Sequence, residues 1–111
     1  NVSGAFHSPF MKEPSFQFSK YLDTLEFNQP SIPVISNSNP SLCNDPKELK
    51  VRFKNQMCNG VRWRQTMDLM KENSILQMVE IGPSNVLGGL GKRHLKDVKI
   101  SQVSSADQIK Y

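Results

Sequence analysis

The chain has 111 residues, of which 37% are hydrophobic, and a formal net charge of +4. This length fits one domain of ordinary size, and no apolar run approaches the roughly 20 residues that a membrane span needs. The mild basic excess favours acidic partners but does not identify one. Because the sequence has no block of Lys and Arg, no RNA-binding aromatic motif and no zinc-finger spacing, it gives little support for nucleic-acid binding.

The two cysteines, Cys43 and Cys58, have no metal-ligand residues near them in the sequence. A disulfide between them is one alternative, but free thiols in a reducing cytoplasm are the simpler expectation, since there is no signal-peptide pattern. The chain begins with Asn1 and not with an initiator Met, so we expect a fragment or a processed chain.

The first functional candidate along the chain is His7, one residue ahead of a helix-start pattern. The Ser8 hydroxyl can cap a helix, and Pro9 suits its first position. His7 would then lie at the positive end of the helix dipole, which favours a neutral ring that can accept a proton. An ordinary surface histidine at a helix end is the alternative, and from these residues alone it is the more frequent case.

The segment after Pro9 predicts a helix interrupted by a second proline. Pro14 removes an amide donor, so we expect either a kink or a short first turn followed by a main helix that starts near Pro14. Residues 32–37 form a short apolar run rich in β-branched side chains, which predicts a buried strand, and residues 36–46 are expected to be a loop. The apolar positions of the main helix recur at helical spacing and indicate core packing: Phe18, Leu22 and Leu25.

Two further helices are predicted in the middle of the chain. Asn44 or Asp45 can cap the first, with Pro46 at its first position, and Asn59 with Gly60 ends it. Its apolar residues recur at four-residue steps and are Leu49, Phe53 and Met57. The basic residues between them, Arg52 included, are expected to face solvent. The next helix follows at once, ends at Asn73 as a left-handed cap, and buries four residues: Val61, Trp63, Met67 and Met70.

The last third of the chain predicts a strand, a short helix and another strand. Residues 76–81 and 98–103 are the strands, and residues 82–85 form a tight turn in which Ser84 or Asn85 caps the helix. The helix contains Gly88, Gly89 and Gly91, which either weaken it by roughly 1 kcal/mol each relative to Ala or permit close packing. A further helix is expected to start near residue 104. This alternation of strands and helices predicts an α/β fold with a parallel sheet, and it is typical of the C-terminal part of a larger domain.

Residue chemistry alone provides half of a catalytic pair. His7 is a candidate base, but the Gly-x-Ser-x-Gly nucleophile elbow does not occur, and neither cysteine shows a sign of activation. The glycine-rich residues 82–91 match neither a P-loop nor the dinucleotide fingerprint, so a strand-to-helix turn is the favoured interpretation.

Four blocks in a fixed order carry a family resemblance. The first two are Gly4-Ala5-Phe6-His7-Ser8-Pro9-Phe10-Met11 and Pro33-Val34-Ile35-Ser36-Asn37. The others are Gln56-x-x-Asn59-x-Val61-x-Trp63, with Thr66 and Met70, and Glu80-Ile81-Gly82-Pro83, with Val86-Leu87 and Leu90-x-Lys92-Arg93. Together they resemble the C-terminal third of the malonyl-CoA:acyl carrier protein transacylase family, across nearly all of the chain.

The resemblance implies an α/β-hydrolase-like core with short parallel strands flanked by helices. Residues 1–111 would be its C-terminal segment, without the nucleophile-bearing N-terminal part and the ferredoxin-like insert. The implied activity is transfer of a malonyl group from coenzyme A to acyl carrier protein in fatty-acid biosynthesis, through a serine acyl-enzyme. The implied partners are acyl carrier protein, the substrate malonyl-CoA and the rest of the acyltransferase domain. Nucleic acid, a membrane, a metal and a cofactor are not expected, and the location would be cytoplasmic.

Two residues fall on catalytic positions of the family. His7 matches the histidine that activates the serine and then the incoming thiol, and Gln56 matches the residue whose main-chain carbonyl orients that imidazole. A carbonyl fixes the tautomer, as a third group must. Asn37 lies at the end of a strand, where a place near the pocket and a structural role are both open.

The sequence also departs from the family pattern. The elbow serine, the arginine that grips the malonyl carboxylate and the oxyanion glutamine belong to N-terminal segments, so we expect these 111 residues alone to be inactive. Ser84 and Asn85 replace the more usual Gly-Lys. Acyltransferase domains of polyketide and fatty-acid synthases share the motifs, but residues 102–109 resemble the end of stand-alone bacterial enzymes. The alternative of a different class is a small non-catalytic interaction module.

Overall fold

A computed structural model describes residues 4–109. They form a mixture of helices and short strands, in agreement with the predicted α/β class. The chain divides into two compact units, one that ends at Thr66 and one that begins at Met67. Residues 1–6 are small and mildly apolar, which predicts a short strand or an extended approach to His7. This segment lies partly outside the described residues, and residues 4–6 contain no strand.

The first unit opens with the interrupted helix that the sequence predicts. A 3-10 turn, Pro9–Met11, leads into helix α1, Lys12–Thr24. The helix starts two residues before Pro14, which therefore lies in the first turn, where an amide would have no partner within the helix. Of the predicted apolar stripe Leu22 is buried, whereas Leu25 follows the last residue of the helix and is exposed.

Two short strands follow, and they correct the loop expected over residues 36–46 and the buried strand expected over residues 32–37, since the first strand has only two residues, both half-buried. Strand β1, Val34–Ile35, pairs antiparallel with β2, Leu42–Cys43, which lies inside the segment expected to be a loop. The chain reverses between them because the Ser36 hydroxyl accepts from the main-chain N–H of Asn39 and donates to its carbonyl. A short connection of this kind permits antiparallel pairing only.

Helix α2, Pro46–Asn55, begins as predicted, because Asp45 Oδ1 accepts from the main-chain N–H of Lys47 at 2.8 Å. It continues into a 3-10 turn, Gln56–Cys58. The expectation that Arg52 faces solvent is wrong, since this residue is 5% exposed. Its guanidinium donates to the carbonyls of Asn39 and Ser41 at 3.2 and 2.7 Å, which satisfies donors that burial would otherwise leave without partners.

Helix α3, Trp63–Glu72, contains the division between the two units. Met67 is buried as predicted, but Val61 precedes the helix and is exposed. The left-handed residue at the end is Ser74, with φ of 55°, and not Asn73. The N–H of Ile75 bonds to the Met70 carbonyl at 3.0 Å, which is the Schellman arrangement with Ser74 as the left-handed residue.

The second unit contains a parallel strand pair, as predicted. Strand β3, Gln77–Ile81, helix α4, Val86–His94, and strand β4, Lys99–Val103, follow one another, and Gln77 pairs with Lys99. Close packing explains two of the glycines in α4. A Cβ on Gly91 would lie 2.9 Å from Ile100 Cδ1, and one on Gly88 would lie 3.0 Å from Glu80 Oε2.

The predicted caps of α4 are wrong. Asn85 occupies the N-cap position without a side-chain cap bond, and the buried Glu80 carboxylate instead accepts from the N–H groups of Leu87 and Gly88 at 3.2 and 2.7 Å. A carboxylate at a helix N-terminus is favoured by the dipole. The expected last helix is only a 3-10 turn, Ala106–Gln108. None of the helices within residues 4–109 is long and apolar enough to cross a membrane.

Candidate active site

His7 has an unusual backbone conformation that two hydrogen bonds hold. Its φ is 62°, in the left-handed region that few residues other than glycine adopt. Its main-chain N–H donates to the Met57 carbonyl at 2.8 Å. The 3-10 turn after α2 therefore fixes the backbone of a residue that lies 50 positions earlier in the sequence.

The His7 ring is bound to the neighbouring carbonyl of the same turn. Nδ1 lies 2.9 Å from the main-chain oxygen of Gln56. A carbonyl oxygen only accepts hydrogen bonds, so Nδ1 carries the proton and a neutral ring has its lone pair on Nε2. Among residues 4–109, Nε2 has no hydrogen-bond partner. The two residues singled out in the sequence are thus in direct contact, and the second ring nitrogen is available to another group.

Ser8 does not act as the predicted cap. Its hydroxyl donates to the Ala5 carbonyl at 2.6 Å, and the turn that starts at Pro9 has no side-chain cap bond. The hydrogen bond found for the His7 ring is the one from Nδ1 to the Gln56 carbonyl. The Ser8 hydroxyl is not hydrogen-bonded to the ring, so the adjacent serine is not arranged as its nucleophile.

Four consecutive main-chain oxygens, those of residues 54–57, form a surface that we call the carbonyl end of α2. Each accepts a hydrogen bond from a donor outside the helix: Ser15 Oγ to Lys54 O at 3.0 Å, Asn59 Nδ2 to Asn55 O at 2.6 Å, His7 Nδ1 to Gln56 O at 2.9 Å and His7 N to Met57 O at 2.8 Å. The sequence interpretation identified Gln56 but missed Ser15 and Asn59. An asparagine just past a helix was the available signal, because such a side chain often bonds to free carbonyls.

Asn37 lies beside the same turn. A cavity of about 180 Å³ is lined by both Asn37 and Gln56, together with Val34, Ile35 and Phe53. The Asn37 carbonyl accepts from the main-chain N–H of Arg62 at 2.7 Å. Asn37 therefore has a structural contact and also faces a cavity next to the residue that binds the His7 ring.

The second histidine has a different environment. His94 Nε2 lies 2.6 Å from Asp68 Oδ1, and His94 lines a cavity of about 420 Å³ in the second unit. Both cysteines are free, and residues 4–109 contain no group of three His, Cys, Asp or Glu side chains that could hold a metal.

Two comparisons, one with curated proteins and one with solved structures, point to one family. A malonyl CoA-acyl carrier protein transacylase from Synechocystis sp. is 40% identical over 108 residues, which are 97% of this chain and 37% of the relative. The crystal structure of the Synechocystis malonyl-CoA:ACP transacylase superposes with a TM-score of 0.90, covering 96% of this chain and 36% of that one. An acyl carrier protein S-malonyltransferase from Vibrio cholerae, 34% identical, gives a TM-score of 0.87 with 96% and 35% coverage. No protein-family model matches the chain.

These matches confirm the resemblance that the four sequence blocks carry. The chain spans little more than a third of the length of the relatives it matches, and it corresponds to their C-terminal part. The similarity extends over nearly all of this chain, so both units belong to the shared fold.

Proposed function

We propose that this chain, which is similar to the C-terminal part of malonyl CoA-acyl carrier protein transacylases, supplies the histidine base of such an enzyme. The reaction is transfer of a malonyl group from coenzyme A to acyl carrier protein in fatty-acid biosynthesis. The observation that carries the proposal is the hydrogen bond between His7 Nδ1 and the Gln56 carbonyl, 2.9 Å long. It leaves Nε2 as the proton acceptor that a serine nucleophile needs.

His7 acts twice in the proposed cycle. Nε2 takes the proton of a serine hydroxyl from the N-terminal part of the enzyme while the serine oxygen attacks the thioester carbonyl. The new C–O bond forms, the C–S bond to coenzyme A breaks, and the imidazolium returns its proton to the leaving thiolate. In the second half the thiol of the carrier gives its proton to Nε2 and attacks the acyl-serine. The serine oxygen leaves and recovers that proton.

Gln56 orients the base without adding a charge. In the familiar triad a carboxylate holds the second ring nitrogen and stabilises the imidazolium electrostatically. Here the partner is a neutral carbonyl at the end of a helix, where the last carbonyls carry partial negative charge. The ring is therefore held in one tautomer by a group that cannot itself take the proton.

The partners follow from the same proposal. Malonyl-CoA is the acyl donor, acyl carrier protein is the acceptor, and no cofactor is needed because the acyl group passes only between the substrate thioesters and the serine. Lys92 and Arg93 are exposed in the last turn of α4, where cations suit the helix dipole and can meet an acidic carrier. A cytoplasmic location is part of the proposal, in keeping with the free thiols of Cys43 and Cys58.

A domain exchange tests the function. In the Synechocystis enzyme, this chain replaces the matching 108 residues, and we call the product the hybrid transacylase. We expect the hybrid transacylase to transfer malonyl groups from malonyl-CoA to acyl carrier protein, and the 111-residue chain alone to transfer none. The measurement is the formation of malonyl-carrier over time, with the N-terminal part of the Synechocystis enzyme alone as the second control.

Two results would contradict the proposal. A hybrid transacylase that unfolds cooperatively, and so is folded, but transfers no malonyl group would show that this chain does not complete the site. Transfer by the 111-residue chain alone would show that the nucleophile lies within it and that the assignment of roles is wrong.

A further inference from the structure

We infer that Asn59 and Ser15 are positioning residues for His7, acting through the carbonyl end of α2. This inference rests on the proposed function, because positioning matters for catalysis only if His7 is the base. Neither side chain touches the His7 ring. Each holds a main-chain oxygen next to the ones that bind His7.

Asn59 closes the turn that presents the Gln56 carbonyl. Its Nδ2 donates to Asn55 O at 2.6 Å, and its main-chain N–H reaches Gln56 O at 3.4 Å, the same oxygen that accepts from His7 Nδ1. The chain changes from α-helix to a 3-10 turn at Gln56, so the carbonyls there are not held by a regular helix. The Asn59 side chain therefore fixes the direction of the turn.

Ser15 fixes the same end from α1. Its Oγ donates to Lys54 O at 3.0 Å, and the residue is only 9% exposed. The hydroxyl is thus the buried polar contact between α1 and the carbonyl end of α2. Because α1 follows the His7 turn directly, this bond ties together the two segments whose relative position sets the distance from Nδ1 to Gln56 O.

The backbone of His7 explains why such support is needed. A φ of 62° is costly for a residue with a side chain and persists only where the surroundings hold it. The holding contacts are the bonds to Gln56 O and Met57 O. A displacement of about 1 Å in catalytic geometry is enough to lower a rate about 100-fold, so loss of the neighbouring bonds should be visible in kcat.

The primary experiment compares Asn59→Asp with Asn28→Asp in the hybrid transacylase. Asp keeps the shape of Asn but removes the N–H donor, and the exposed Asn28 makes none of these bonds. We expect Asn59→Asp to lower kcat about tenfold with KM for malonyl-CoA unchanged, and Asn28→Asp to keep both. Ser15→Ala should likewise lower kcat, and Ser15→Thr, which retains a hydroxyl, should restore most of it.

A spectroscopic readout separates positioning from general stability. In the 111-residue chain, ¹⁵N spectra of the His7 ring should show protonated Nδ1, and Asn59→Asp should add the other tautomer. A cooperatively folded Asn59→Asp variant with unchanged kcat and an unchanged tautomer would overturn the inference. The inference would also be overturned if Ser15→Thr failed to recover the kcat lost in Ser15→Ala, although the thermal midpoint of Ser15→Thr matched that of the parent.

The outcomes distinguish this inference from the proposed function. If the unsubstituted hybrid transacylase is inactive, the proposed function fails, and the tautomer readout alone decides whether Asn59 and Ser15 position the ring. If the hybrid transacylase is active and His7→Gln abolishes transfer, while Asn59→Asp changes neither kcat nor the tautomer, the function stands and the positioning role is wrong.

Discussion

The two histidines of this chain are held by opposite ring nitrogens and by different kinds of acceptor. His7 presents Nδ1 to the main-chain carbonyl of Gln56 at 2.9 Å, whereas His94 presents Nε2 to the carboxylate of Asp68 at 2.6 Å. A carbonyl and a carboxylate can only accept hydrogen bonds, so the bound nitrogen of each ring carries the proton and the two neutral rings are in opposite tautomers. His7 leaves Nε2 available and His94 leaves Nδ1.

The difference shows how a local fold fixes which ring nitrogen of a histidine is available. The His7 acceptor belongs to a turn that four hydrogen bonds fix, and the residue has a strained backbone that only such a frame retains. The His94 acceptor is a side chain that is 47% exposed at the surface of another helix, and the histidine lies on regular helix backbone. The His7 arrangement fixes the direction of the Nε2 lone pair, whereas the His94–Asp68 contact is an ordinary surface interaction.

The largest expected effect separates the two histidines by activity. His7→Gln in the hybrid transacylase should lower kcat about 1,000-fold or more, because the general base is lost. His94→Gln should leave kcat within about twofold, since that ring takes no part in the proposed chemistry. The measurement is steady-state malonyl transfer for both variants beside the parent. Equal losses in the two variants would remove the distinction on which the comparison rests.

A stability difference within α2 tests the role assigned to burial of a charged side chain. Arg52→Met removes a buried guanidinium that satisfies the carbonyls of Asn39 and Ser41, and should lower the free energy of unfolding by about 2–4 kcal/mol. Lys54→Met, on the same helix, removes only an exposed pair with Asp23 and should cost less than about 1 kcal/mol. Urea unfolding checks both. A cost for Lys54→Met equal to that for Arg52→Met would contradict the assigned role of burial.

Two glycine substitutions in the second unit should have smaller effects on stability and should leave the tautomer of His7 unchanged. Gly88→Ala pushes against the Glu80 carboxylate that caps α4 and should lower stability by about 1 kcal/mol. Gly89→Ala meets open space, and should raise stability by up to about 1 kcal/mol because Ala favours the helix. Thermal unfolding measures the two shifts. A changed His7 tautomer in either variant would contradict this expectation.

The smallest expected effect concerns the His94 pair itself. Asp68→Asn should change the free energy of unfolding by only about 0.2–1 kcal/mol, because both side chains are partly exposed and solvent screens them. Urea unfolding of Asp68→Asn beside the parent checks this. A cost of several kcal/mol would contradict the description of the His94–Asp68 contact as an ordinary surface interaction.

The sequence predicted the parts of the fold that depend on local pattern. The helix starting at Pro46 with its Asp45 cap and the βαβ order of β3, α4 and β4 follow from residue type and spacing. The errors concern long-range partners. The solvent position expected for Arg52 and the Asn85 side-chain cap failed because the actual partners, Asn39, Ser41 and Glu80, come from other elements.

Only part of the candidate site could be predicted from the local sequence. His7 was identifiable from its own segment, and Gln56 only through a family resemblance, since no spacing rule places a carbonyl 49 residues away beside an imidazole. The left-handed backbone of His7 and the bond of Ser15 were not predictable, because each depends on how α1 and the end of α2 meet. The Asn59 bond is local, and its signal was an asparagine just past a helix.

The most direct test of the central claim is the tautomer of the two rings in one spectrum. Long-range ¹H–¹⁵N correlation of the histidine-labelled chain, assigned with His7→Gln and His94→Gln, reports which nitrogen of each neutral ring carries the proton. We expect a protonated Nδ1 on His7 and a protonated Nε2 on His94. A His7 ring protonated on Nε2, like that of His94, would contradict the claim that the Gln56 carbonyl holds His7 ready to accept a proton.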